Sequence, residues 1–265
     1  IKGNFTISNP NFNNSEKSIF LNIQALETDR MSSSGYKTNK TGFSVGTNFE
    51  YYDDLFFGIG NSNYYEKIST DSTASARQQA QKGNYWDSFL NLNFTQDKRN
   101  RKFQTSKGYL SKYNLDIPII SDTNSFINTF NYKYFSELYN DNVSTFGISL
   151  GSAFSLDDSD IKLSERLFIP SSRLRGFEGG KIGPKDGNDF VGGNYLATMN
   201  FTSSIPQILP NSQDTDFSVF LDVANIWGVD YDSSLNDSGK IRSSIGIGLD
   251  WFTVVGPISF SYALP

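Results

Sequence analysis

The chain has 265 residues, a formal net charge of −5, no His and no Cys. These absences exclude disulfides, thiolate and imidazole metal sites, and Ser-His or Cys-His catalysis. The acidic balance offers no basic surface for nucleic acid. An enzyme would therefore have to act through carboxylates, Lys or Tyr, and we expect no metal and no nucleic-acid partner.

The composition favours a membrane β-barrel. Aromatic residues make up 15% of the chain, yet the mean hydropathy is −0.42. A wall with lipid outside and water inside produces this combination, because apolar and polar residues then alternate and their hydropathies average out. No stretch approaches eighteen consecutive apolar residues, so the sequence predicts no transmembrane helix.

A period of two runs along the chain and predicts an all-β protein. In residues 88–94 and again in 241–251, apolar side chains at every second position alternate with polar or small ones. The pattern predicts twelve strands, at residues 3–8, 17–28, 38–51, 55–68, 84–96, 108–116, 125–138, 143–154, 194–205, 216–228, 241–253 and 257–264. We expect six apolar side chains in two of them to face outward: Leu90, Leu92, Phe94, Ile245, Ile247 and Leu249.

The connections between these strands alternate in length. Those at residues 53–54 and 254–256 are short, whereas 69–82 and 155–193 are long. Short turns at one rim and long loops at the other are typical of bacterial outer-membrane barrels, and several strands reach the roughly 9–11 residues that cross a bilayer. A soluble sandwich or propeller is the alternative, which strand length and loop asymmetry disfavour.

The connection at residues 155–193 is too long for an ordinary turn, and segments of this length usually have a function. It contains the sequence Leu174-Arg175-Gly176-Phe177 followed by several glycines. It is not a phosphate-binding loop, because Lys181 is followed by isoleucine rather than Ser or Thr.

The motif at Leu174-Arg175-Gly176-Phe177 resembles the Val/Ile-Arg-Gly-Phe/Tyr motif in the long sixth loop of the POTRA-containing outer-membrane insertase family. Four further segments are similar to that family: Ile182-Gly183-Pro184-Lys185, Val191-Gly192-Gly193-Asn194, Phe220-Leu221-Asp222 and residues 256–263. The resemblance is strongest from about residue 166 to residue 265. Before that it rests on strand order and on residues 5–12.

The resemblance implies a fold of the insertase-barrel type, a sixteen-stranded antiparallel transmembrane β-barrel behind periplasmic POTRA domains. The twelve predicted strands correspond to its fourth through fifteenth. We therefore expect residues 1–265 to form one partial barrel domain that lacks the first three strands and the last. The segments at residues 3–8 and 257–264 should then not pair with each other.

The resemblance also implies that the loop at residues 155–193 folds back into the lumen. Counting by two along residues 216–228 places Phe220 and Asp222 on the lumen face, so Arg175 and Asp222 can form a forked ion pair that latches the loop to the wall. Alone, the Arg-Gly-Phe motif would be read as a solvated turn; the accompanying motifs favour the latch. Asn200 stands where the family has Glu, which predicts a neutral hydrogen bond to the loop arginine.

Two other groups of charged residues are predicted to be solvated. Arg242 and Asp250 project toward the lumen by period, and lining it is a simpler role for them than a specific contact. The acidic clusters at residues 157–160 and 230–237 lack the spacing of a calcium-binding EF-hand loop. We expect them to lie in solvated loops.

The function that the resemblance implies is folding and insertion of β-barrel proteins in the bacterial outer membrane, by a protein that is not an enzyme and has no cofactor. Its partners would be outer-membrane lipids, unfolded outer-membrane clients, accessory lipoproteins and periplasmic chaperones. The alternatives are a related TamA-like or two-partner-secretion transporter and a passive porin-like channel. An outer-membrane hydrolase is disfavoured because the chain has no His.

Overall fold

The computed structural model describes residues 2–139, 142–157, 159–205, 215–235, 237, 239–254 and 256–265. Its strands are β1 (Lys2–Asn9), β2 (Ser18–Arg30), β3 (Tyr36–Tyr52), β4 (Leu55–Thr70), β5 (Gly83–Asp97), β6 (Gly108–Ser121), β7 (Ser125–Tyr139), β8 (Asn142–Ser155), β9 (Lys185–Asp186), β10 (Asp189–Phe190), β11 (Tyr195–Ile205), β12 (Thr215–Trp227), β13 (Arg242–Thr253) and β14 (Gly256–Leu264). Two short helices, α1 (Met31–Ser34) and α2 (Ala76–Ala80), and 3-10 turns at Phe12–Asn14 and Ser233–Leu235 complete the elements. None of the described helices is long and apolar enough to span a membrane.

Twelve strands form a single antiparallel sheet, as the period of two predicts. Its order, β1 to β8 and then β11 to β14, follows the chain, so each strand pairs with its sequence neighbour in the sheet. The remaining two, β9 and β10, form a small separate ribbon. The strands from β2 to β8 have 13–17 residues, enough to cross a bilayer when tilted.

One predicted boundary is wrong for a physical reason. The strand predicted to end at residue 116 continues through Pro118 to Ser121 as β6. Pro118 lacks a backbone donor, but a register shift between Ser88 and Phe89 of β5 lies opposite it. Bulges are where a sheet tolerates proline, so the strand continues past it.

The outward face of the sheet is apolar and uncovered. None of the six side chains predicted to face outward is buried, and Phe94, Ile245 and Ile247 are among the exposed large apolar residues. In the described part of the chain, the only other sheet is the two-stranded ribbon. No second layer packs on this face, and a β-sandwich is therefore excluded.

Aromatic side chains form a row across four neighbouring strands, near the rim with the two-residue turn at Asp53 and Asp54. Ring centroids lie 5.6 Å apart for Phe49–Phe57, 4.9 Å for Phe57–Phe94 and 6.4 Å for Phe94–Tyr113. An aromatic girdle at this level is typical of a barrel wall at the membrane–water interface.

The inner face is polar and the sheet is curved but open. A cavity of about 640 Å³ lies against β2 to β7 and is lined mainly by polar side chains such as Asn91, Asn114 and Asp116. The turn after β5 reaches β13, where the rings of Phe103 and Phe252 lie 6.0 Å apart. Among the described residues, β1 and β14 are sheet edges and do not pair with each other, as predicted.

Candidate functional site

The long connection between β8 and β11 folds into a compact structure. Leu167 and Gly193 pair through two backbone hydrogen bonds of 3.0 Å, and the amide of Val191 donates to the carbonyl of Pro184 at 3.1 Å. Apolar side chains of the loop and of β12 form one buried cluster on the inner face of β12, made of Ile169, Leu174, Ile182, Ala224 and Ile226. Leu167, Phe177 and Leu196 pack against this cluster. The loop therefore lies on the lumen side of the sheet.

Glycines permit this close approach of the loop to the wall. Gly176 has a φ of 87°, and a Cβ there would lie 2.9 Å from the Cβ of Ala263 in β14. Gly183 has a φ of 106°, and its Cβ would lie 2.5 Å from Ile226 of β12. At Gly192 and Gly193 an added Cβ would meet backbone oxygens at 2.5 and 2.7 Å. Side chains at Gly176, Gly183 and Gly193 would push the loop away from the strands, whereas one at Gly192 would collide with Leu167 within the loop.

Arg175 forms a forked ion pair with Asp222. Its Nε donates to Oδ2 at 2.8 Å and its Nη2 donates to Oδ1 at 2.7 Å, while its backbone amide donates to Oδ2 at 3.1 Å. The guanidinium carbon lies 3.4 Å from the ring centroid of Phe220. The Asp222 side chain is fully buried and that of Arg175 is 22% exposed. Bidentate pairing and cation–π contact both favour a fixed guanidinium orientation.

Asn200 supports this pair from β11. Its Nδ2 donates to Oδ1 of Asp222 and to the carbonyl of Arg173, each at 2.8 Å. The predicted hydrogen bond to Arg175 is not among the described contacts of Asn200, because Asp222 already occupies the adjacent edge of the guanidinium. The neutral amide instead orients the carboxylate and ties down the backbone before the motif. The Nη2 of Arg175 also donates to Thr202 at 3.3 Å.

Arg173 contacts β7 directly, and β8 through Asn131 of β7. Its Nη2 donates to Oδ1 of Asn131 at 3.0 Å, and Ser149 donates to the same oxygen at 2.8 Å. Burial lowers the pKa of Arg173 below its ordinary value. The motif region therefore touches inner-face residues on four strands, β7, β11, β12 and β14.

Sequence reasoning missed a second charged cluster at the start of the loop. The Nζ of Lys162 lies 3.1 Å from carboxylate oxygens of Glu66 and Glu165 and also contacts Asp87. The available signal was an acid on the polar face of each of two strands, near the rim with the long loops. The period of two does not tell which loop residue reaches those acids.

Arg242 and Asp250 have local partners. The Nη2 of Arg242 lies 2.9 Å from Asp237 in the loop before β13, so Arg242 braces this loop at the rim. Asp250 accepts a hydrogen bond of 2.5 Å from Ser259 of β14. Neither contact involves residues of the Arg175 site.

The acidic clusters are only partly solvated, which corrects the prediction. Asp160 pairs with Arg77 at 2.7 Å, and Asp230 pairs with Arg166. Asp157 accepts a hydrogen bond of 2.6 Å from Asn124, and hydrogen bonds from neighbouring Ser and Asn side chains lower its pKa. Residues 158, 236 and 238 of these clusters lie outside the described residues. The acids therefore connect loops at one rim through specific contacts.

Comparison with known proteins gives consistent matches. The chain matches the Omp85 superfamily domain over residues 2–265. It is 24% identical over 234 residues to the outer membrane protein assembly factor BamA of Neorickettsia risticii, covering 86% of this chain and 31% of that protein. The BamA of Nitratidesulfovibrio vulgaris is 24% identical over 211 residues, covering 76% of this chain and 26% of that protein.

Solved structures share the fold. The crystal structure of BamA from Haemophilus ducreyi lacking POTRA domains 1–3 has a TM-score of 0.88 and 21% identity, covering all of this chain and 58% of that one. CdiB from Acinetobacter baumannii has a TM-score of 0.56 and 10% identity, covering 94% of this chain and 44% of that one. The chain thus spans about a third or less of the length of the two curated relatives.

Proposed function

Because this chain belongs to the Omp85 superfamily, we propose that it is the barrel part of an outer-membrane protein assembly factor. In this role it folds and inserts β-barrel proteins into the bacterial outer membrane, where it lies as a multi-pass barrel itself. The curated relatives named above are outer membrane protein assembly factors, which supports the assignment.

The observation that carries the proposal is the loop docked against the wall through Arg175 and Asp222. The motif, its glycine hinges and the strand acid come from separate parts of the sequence, and the fold brings them together. The docked loop contacts β12 and also β7, β11 and β14 on the inner face of the sheet. We propose that these contacts keep this part of the wall curved and ordered during assembly.

The proposed role requires binding rather than catalysis. The outward apolar face contacts outer-membrane lipids, and unfolded outer-membrane proteins are the clients. Accessory lipoproteins and periplasmic chaperones are proposed as further partners. A related transporter barrel is the second candidate, and it has weaker support because both curated relatives named above are assembly factors.

Complementation tests the proposal. The host is depleted of its own copy of the full-length gene, and a plasmid-borne copy is then expressed. We expect growth and normal levels of folded outer-membrane proteins with the plasmid, and loss of both with an empty vector. If depletion leaves the levels of folded outer-membrane proteins unchanged, the chain is not an assembly factor.

A further inference from the structure

The long loop makes a second charged contact with the wall, thirteen positions before Arg175 in the sequence. Lys162 is 1% exposed, and its Nζ lies 3.1 Å from Oε2 of Glu66 in β4. It also contacts Oδ2 of Asp87 in β5. Both carboxylates belong to the wall, and both are fully or almost fully buried.

The charges of this cluster favour a fixed lysine. Burial on its own lowers the pKa of Lys162, but the carboxylates of Glu165, Glu66 and Asp87 outweigh burial and raise the pKa above the ordinary lysine value. The ammonium therefore stays charged at physiological pH. Separating a buried cation from the carboxylates around it is strongly unfavourable, because the cation and the carboxylates would each be left buried without a partner.

Neighbouring contacts place the backbone of the same segment. The hydroxyl of Tyr36 in β3 donates to the carbonyl of Leu163 at 3.1 Å, and the amide of Leu163 donates to Gln81 at 2.8 Å. Ser164 donates to Glu66 at 2.8 Å. Residues 161–164, which we call the first anchor segment, thus contact β3, β4 and the segment after α2.

The two charged contacts lie on distant parts of the sheet. Lys162 is held by β4 and β5, whereas Arg175 is held by β12, and β6, β7, β8 and β11 separate them in the sheet order. We propose that Lys162 is a second anchor and that the loop is a strut tied to two sides of the barrel. Lys162 acts as a positioning residue, because it fixes the first anchor segment and so sets where the Arg175 motif meets β12.

This inference rests on the proposed function only for its consequence in assembly; the anchor itself is tested without any client. The chain contains no Cys, so a cysteine replacing Ile161, which is fully buried, is a clean reporter. In the full-length protein, with any cysteine outside residues 1–265 changed to serine, the rate of maleimide modification at this position measures release of the first anchor segment.

The variants compare charge with packing. Lys162→Met should raise the modification rate about tenfold or more, because it leaves buried carboxylates without a partner. Lys181→Met is the matched control, because Lys181 lies in the same loop but forms an exposed pair with Glu178. We expect this variant to leave the modification rate unchanged. The quadruple variant Lys162→Met, Glu66→Gln, Asp87→Asn, Glu165→Gln removes all three carboxylates that pair with Lys162, and it should restore the yield of folded barrel while the rate stays high.

A quadruple variant with the parental modification rate would overturn the anchor, because packing of Ile161 and Leu163 alone would then hold the segment. Client insertion is measured separately in vesicles. We expect Lys162→Met to slow insertion at least about fivefold, as an undocked loop loses its fixed position. Faster modification with unchanged insertion would overturn the positioning role, and failure of the parent to insert clients would refute the proposed function instead.

Discussion

Asp222 is a fully buried carboxylate whose charge is met by several donors: the guanidinium and backbone amide of Arg175 and the side-chain amide of Asn200. Removing one side of such a pair strands the other charge. The cost is about 3–5 kcal/mol for complete burial. It is smaller here, because Arg175 is 22% exposed and lumen water screens it.

The first prediction concerns this pair. Arg175→Ala should lower the stability of the docked loop by roughly 2–3 kcal/mol and reduce assembly activity. Asp222→Asn should cost less than Asp222→Ala, since the amide oxygen still accepts a hydrogen bond. The measurements are urea unfolding of the folded barrel and client insertion. Lys181→Ala in the same loop is the control, because its pair with Glu178 is exposed on both sides and is worth only about 0–1 kcal/mol. Equal losses for Arg175→Ala and Lys181→Ala would refute the latch.

The second prediction concerns Glu165. Burial raises its pKa above the ordinary value of 4.5, and nearby Asp87 raises it further, whereas the ammonium of Lys162 and the hydroxyl of Ser125 oppose the rise. A carboxyl whose folded pKa is raised contributes most to stability below pH 4.5 and loses that contribution as pH rises through the folded pKa. At pH 7 the neutral side chain of Glu165→Gln should therefore stabilise the first anchor segment.

The test is the modification rate of a cysteine at position 161, with parent and variant compared at the same pH. Glu165→Gln should slow modification at pH 7 and match the parent near pH 4. Faster modification of the variant at pH 7 would show that Glu165 serves mainly as a charged partner of Lys162, and the prediction would be wrong.

The sequence predicted the Arg175–Asp222 pair, because a strand pattern and a motif together define it. Asp222 faces inward by strand period, and Arg175 belongs to a recognisable motif. Lys162 has neither signal, because its loop segment has no periodic pattern and its partners Glu66 and Asp87 come from remote strands. The sequence placed Asn200 next to the loop, but its partner depends on which guanidinium edge Asp222 occupies.

Among the elements, the long loop depends on backbone conformations that only glycine adopts easily. Gly183→Ala should destabilise docking by about 2 kcal/mol or more, because φ is 106° and the added Cβ would lie 2.5 Å from Ile226. Gly187→Ala is the matched control, since φ is also positive, 63°, but nothing lies within 4 Å of the added Cβ.

The measurement is the modification rate of a cysteine at Leu174, which is fully buried. Gly183→Ala should raise this rate clearly more than Gly187→Ala does. Equal rates would mean that backbone strain alone, rather than contact with β12, sets the position of the loop.

Strands were predictable because each spans many repeats of the period of two. The short elements were not. The α2 helix has five residues, too few for a helical period to appear, although Ser75 and Gln78 form a capping box that reveals its start. The course of β6 past Pro118 depends on a bulge in the neighbouring strand, which no local pattern encodes.

For the whole molecule, the outward face should behave as a lipid-facing surface. Ile247→Lys should destabilise the barrel in vesicles by about 2–4 kcal/mol if the site lies near the bilayer centre. Asn114→Lys, which adds the same charge to the lumen cavity, should change stability by less than about 1 kcal/mol. Folding yields in vesicles compare the two, and equal yields would contradict the assignment of the faces.

Strand number, order and facing were predictable from period and connection length. The curvature and the lumen path of the loop were not, because they depend on contacts such as Phe103–Phe252 and Arg175–Asp222 between distant residues. The family resemblance supplied the lumen path as an expectation, and the contacts give its physical basis.

We propose that the full-length protein inserts β-barrel proteins into a membrane. The most direct measurement reconstitutes it in lipid vesicles, adds an unfolded outer-membrane barrel and follows the appearance of folded client. We predict insertion that is clearly faster than in protein-free vesicles and slower with Arg175→Ala. If the protein is itself folded and insertion is no faster than in protein-free vesicles, the protein is not an insertase.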